Sequence, residues 1–99
     1  MTNLEKVRAH LDTSELLCQL AEEAAELSKA ALKLRRAITG INPTPITKEE
    51  ALDNVIEEAL DVEMVLEVLE LYGGRSGINR RRIGHRERKF ARWAERLEG

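Results

Sequence analysis

Two pairs of acids, Glu23 with Glu26 and Glu58 with Asp61, are the residues whose types and spacing point most directly to chemistry. Each pair is spaced i, i+3, which on a helix puts both carboxylates on one face. Four such acids opposed across two helices repel one another, and a divalent cation removes that repulsion. Hard carboxylate oxygens without His or Cys suit magnesium, with manganese as the alternative, rather than zinc. Neither His10 nor His85 follows a Glu by three residues, which argues against a di-iron bundle built on Glu-x-x-His pairs. No Ser, Cys or His is placed as a nucleophile, and Cys18 is read as a structural residue near the core.

The elements that must position these acids follow from periodicity and capping. A short helix is expected over Leu4 to Leu11. A capping box of Asp12 and Glu15 starts a second helix near Thr13, which runs to about Ile38 and stops at Gly40. Its expected apolar stripe is Leu16, Leu20, Ala24, Leu27, Ala31, Leu34 and Ile38, with Glu23 on its border and Glu26 one turn on. Asn42-Pro43-Thr44-Pro45 reads as a rigid loop. Thr47 and Glu50 form a second box, opening a helix to about Tyr72 that Gly73-Gly74 ends. A last helix is expected from about Ile78 to Leu97, with Ile83, Phe90, Ala94 and Leu97 as its stripe.

Drawn as a wheel, the third helix puts Asp53, Glu63, Glu67 and Glu70 on the solvent side. Its apolar sector holds Leu52, Val55, Ala59, Val62, Leu66 and Leu69, widened by Val65 and Val68. Glu58 and Asp61 fall inside that sector. A buried carboxylate costs several kcal/mol unless its charge is compensated. Lys48 is the one basic residue between Pro45 and Tyr72, so compensation must come from a cation or from another segment, such as Arg35, Arg36 or the basic C-terminal part.

Composition bounds the rest. Ninety-nine residues fit one domain, 1–99, with a modest core that favours oligomerisation. The expected fold is all-α: an antiparallel helical hairpin plus a C-terminal helix, completed into a four-helix-bundle core by a second copy. No apolar run reaches the ~20 residues needed to cross a bilayer, and Met1 to His10 lacks a signal-peptide apolar region. A cytoplasmic protein with no membrane association is the resulting expectation. Met1 to Gly74 holds seven basic and fifteen acidic residues; Arg75 to Gly99 holds nine basic and three acidic. The acidic body and a pI near 5.7 disfavour nucleic acid as a partner.

The stretch Gln19-Leu-Ala-Glu-Glu-Ala-Ala-Glu26, with Glu57-Glu-Ala-Leu-Asp61, resembles the Glu-Glu-x-x-Glu … Glu-x-x-Asp signature of the MazG-like nucleotide pyrophosphohydrolases, in the all-α NTP pyrophosphatase superfamily. The resemblance extends from about Glu15 to Leu97. It implies a magnesium-dependent enzyme, assembled as a dimer or tetramer, that cleaves a nucleoside triphosphate to the monophosphate and pyrophosphate. Glu23, Glu26, Glu58 and Asp61 would be the metal ligands. Glu22 would join Glu23 in catalysis, positioning water, with Glu57 in support. Lys89-Phe-Ala-Arg92-Trp93, with Arg96, resembles the family's closing basic segment, which assigns Lys89, Arg92 and Trp93 to the substrate. The gap between Glu26 and Glu58 is long for the family, and few aromatics remain to stack on a base. Two other readings compete: a nucleic-acid-binding module using the Arg-rich C-terminal helix, and a helical dimer without catalysis.

Overall fold

The computed structural model describes residues 1–41 and 45–99. Among them the secondary structure is all-helical: α1 (Asn3–His10), α2 (Thr13–Thr39), α3 (Lys48–Val68) and α4 (Ile78–Glu98). Of the expected proline loop, Asn42, Pro43 and Thr44 lie outside the described residues. Residues 1–69 and 70–99 form two compact units.

Each helix start in the first unit has a local cause. The Thr2 hydroxyl accepts from the Glu5 N–H while Glu5 returns a bond to the Thr2 N–H, a capping box ahead of α1. Asp12 and Glu15 make the expected box for α2, with the Glu15 N–H donating to Asp12 Oδ1 at 2.7 Å. The Thr47 hydroxyl accepts from the Glu50 N–H at 3.1 Å and opens α3. Gly40 ends α2 in the left-handed region at φ 73°, a conformation in which a side chain is strained.

The end of α3 departs from expectation. The helix stops at Val68, not at Tyr72, and Glu70 takes the left-handed turn at φ 60° that Gly73-Gly74 was expected to supply. Tertiary contact fixes this end. The Arg8 guanidinium donates to the carbonyls of Glu67 and Val68 at 3.0 and 3.3 Å, satisfying groups that the helix leaves open and placing a cation at its negative pole. Because α1 precedes α2 and touches the last turn of α3, the start of α2 lies beside the end of α3. The two long helices therefore run antiparallel.

The seam between them is also shifted. On α2 the residues turned toward α3 are Leu16, Leu20, Glu23, Leu27, Ala30, Leu34 and Ala37; Ala24, Ala31 and Ile38 are exposed. On α3 they are Ala51, Val55, Glu58, Val62, Val65 and Leu69, while Leu52 is exposed. Both sets alternate steps of four and three, an average of about 3.5 residues, which keeps two helices in contact along their length. Straight-wheel spacing of ~3.6 drifts off that seam, and so it selected Ala24 and Leu52 in place of Glu23 and Ala51. Ala51 is fully buried, where a small side chain lets the helices approach closely. Cys18, expected near the core, is exposed.

In the second unit the chain closes a tight loop: the Ile78 N–H donates to the Leu71 carbonyl at 2.7 Å, and the Asn79 N–H to that of Tyr72 at 3.0 Å. Gly77 caps α4 and is buried against the Gly73 carbonyl, leaving no room for a Cβ. The residues of the expected α4 stripe are exposed, Ile83 at 71% and Leu97 at 78%. No described helix is long and apolar enough to cross a membrane.

Candidate functional site

The seam puts carboxylates where apolar side chains belong. Glu23 occupies a seam position on α2 and Glu58 one on α3, and both are half-buried. Asp61 follows one turn after Glu58. Glu23, Glu58 and Asp61 each offer an oxygen, and the three oxygens lie within 4.8 Å of one another. Two of these acids come from one helix and the third from its neighbour, so the hairpin itself assembles the cluster.

The fourth expected ligand, Glu26, stands apart from this trio. It is exposed and pairs with Lys29 at 3.4 Å, one turn along α2. Its charge nevertheless reaches Glu58. The Glu58 carboxyl is held above the usual carboxylate range, first by desolvation and then by the negative charges of Asp61, Glu23, Glu26 and Glu57. Glu22 and Glu57 are exposed beside the cluster.

One contributor escaped sequence reading. Gln19, one turn before Glu23, donates from Nε2 to Glu23 Oε1 at 2.7 Å and is half-buried. The amide holds one oxygen of Glu23 and orients the carboxylate without neutralising it. The signal was the i, i+4 spacing at the head of the quoted stretch. Within the first unit no Lys, Arg or His among the described residues forms an ion pair with Glu23, Glu58 or Asp61, and Arg35 and Arg36 lie with Thr39 around a small hollow near the end of α2.

The second unit carries the other expected residues. Lys89 and Trp93 line an open groove of about 740 Å³ along α4, together with Arg81, Arg82, His85 and Arg86; Arg92 lies outside its lining. The Arg86 guanidinium sits 4.9 Å from the centre of the Phe90 ring. Phe90 and Trp93 stack at 6.3 Å between centroids and 12° between planes.

The donor set of the acid cluster is one a magnesium ion accepts: hard, anionic oxygens in close approach, with no cation of the first unit's described residues paired to them. No protein-family model matches the chain, and no curated protein or solved structure matches it.

Proposed function

We propose that the protein is a magnesium-dependent nucleoside triphosphate pyrophosphohydrolase, cleaving an NTP or dNTP to the monophosphate and pyrophosphate. The observation that carries the reading is the convergence of Glu23, Glu58 and Asp61 within 4.8 Å at the helix seam, with no basic partner among the described residues of the first unit. The resemblance of Glu22-Glu23 … Glu26 and Glu58 … Asp61 to the MazG-like signature supplies the reaction class.

When bound, magnesium supplies charge neutralisation for the phosphate chain and acidity for water. Glu23, Glu58 and Asp61 would hold it, and manganese, of similar ligand preference, would be held by the same oxygens. Gln19 fixes the Glu23 carboxylate in its orientation. Glu26 adds negative charge beside the cluster, and its pair with Lys29 is a solvated one that would cost little to give up were it to serve as a ligand. Glu22 orients the attacking water through a solvated carboxylate. The resemblance assigns Lys89 and Arg92 to the charge of the pyrophosphate and Trp93 to the base.

Four exposed apolar residues of α3, Leu52, Ile56, Leu60 and Met64, recur every fourth position away from α2. That stripe supports closure of the hairpin into a four-helix bundle by a second copy, as a dimer or a tetramer.

The test is incubation with each NTP and dNTP plus magnesium, measuring pyrophosphate. Release by the native chain is expected, with a loss of a hundredfold or more in Glu58→Gln and Asp61→Asn. Absence of release with every nucleotide, or release that survives both substitutions, overturns the reading.

A further inference from the structure

The second unit presents a surface whose extent exceeds the needs of a single nucleotide. On a wheel of 100° per residue, one arc of α4 about 140° wide holds Arg81, Arg82, Arg86, Lys89, Arg92 and Arg96. No acid falls within it: Glu87 and Glu98 occupy the opposite side, and Glu95 stands about 40° beyond Arg81. Trp93 lies inside the arc between Arg82 and Arg86, and its half-exposed indole stacks on Phe90. Arg86 covers the Phe90 ring at 4.9 Å, making a layered set of guanidinium and rings.

Length discriminates among anionic ligands. From Arg81 to Arg96 the arc runs roughly 22 Å along the helix axis. At about 3.4 Å per phosphate in a stacked strand, that length matches about six phosphates, against the three of one nucleoside triphosphate. A cationic track with aromatic rings set within it is the chemistry that holds an unpaired strand, because phosphates follow the charges while bases stack on the rings. A duplex would take the charges but keep its bases away from Trp93. The acidic composition of the whole chain does not decide the matter, since its excess acids lie outside this unit.

We propose that the α4 face binds single-stranded nucleic acid, with the backbone along the Arg81–Arg96 arc and a base stacked on the open face of Trp93, which Phe90 and Arg86 back from behind. The inference needs neither magnesium nor the hydrolase reading, although it draws on Lys89, Arg92 and Trp93, which that reading assigns to the nucleotide.

The experiment is fluorescence anisotropy of the full chain with a labelled 12-nucleotide single strand in EDTA. Saturable binding is expected, weakening roughly a hundredfold between 50 and 200 mM salt for about five phosphate contacts. The double variant R82E/R86E, and R82Q/R86Q as a milder form checked for helicity, should weaken binding tenfold or more. W93A should weaken it about five- to a hundredfold and W93F should restore most of it. Four results overturn the proposal: no binding at 50 mM salt, tighter binding to a duplex of equal length, displacement by a nucleoside triphosphate as effective as by unlabelled strand at equal phosphate concentration, or unchanged affinity in the arginine variants. Performed without divalent metal, the assay stands or falls apart from pyrophosphate release.

Discussion

Glu58 is the residue on which the chemistry turns, because its position is structural and its side chain is not. A seam position between two helices asks for an apolar side chain, and a carboxylate there is desolvated and set against Asp61 and Glu23. Its raised pKa fixes the direction of a pH effect. In the metal-free protein the folded state holds the Glu58 proton more tightly than the unfolded chain does. Its contribution to stability is therefore greatest at and below the ordinary value of 4.5 and falls as pH rises through the window between 4.5 and the raised value. Urea titrations across that window are expected to show the decline, and Glu58→Gln to flatten it. A decline as large in Glu58→Gln would assign the effect to another group. Added magnesium should reverse the loss at neutral pH, raising the melting temperature in the native chain but not in Asp61→Asn; at a hundred times its dissociation constant a ligand adds about 2.7 kcal/mol. At the same scale Gln19→Ala frees the Glu23 carboxylate to rotate. It should weaken magnesium binding, read by titration calorimetry.

The elements are held by short-range devices, and each can be removed singly. Asp12→Ala deletes the acceptor for the Glu15 N–H at the start of α2 and should cost about 1 kcal/mol in chemical denaturation. Gly40→Ala forces a side chain into a left-handed φ of 73° and should cost on the order of 1 kcal/mol as well. Ala51 sets the distance between α2 and α3, so the larger Ala51→Leu must push the helices apart. An overpacking loss of about 1–3 kcal/mol is expected, with weaker magnesium binding because Glu23 and Glu58 separate. If Ala51→Leu is destabilised yet binds magnesium as before, the cluster does not depend on helix spacing. Capping was readable because its partners stand three residues apart. The end of α3 was not, because Arg8 reaches it from about sixty positions away.

At the scale of the molecule, the hairpin has a covered side and an open one. Leu52, Ile56, Leu60 and Met64 leave an apolar stripe in water, and a chain of this size buries little by itself. A homo-oligomer is the proposed resolution. Light scattering after size exclusion should give a mass of two or four chains. Ile56→Lys with Leu60→Lys should give one chain, provided circular dichroism shows that the helices persist. A native chain that stays monomeric at high concentration removes the four-helix-bundle proposal.

The sequence by itself determined the helical class, four helices in the described residues, and three of the four acids that converge. It could do so because capping, glycine stops and apolar recurrence act within one or two turns. Tertiary structure decided the register. Two helices that touch along their length share a seam of about 3.5 residues, which a single-helix wheel does not contain. That shift moved Glu23 from the border of the stripe into its line, left Glu26 paired with Lys29, placed Cys18 outside, and brought Gln19 to the carboxylate. Whether four acids on two helices form a trio, a quartet or no cluster depends on a displacement of one residue, and packing alone sets it.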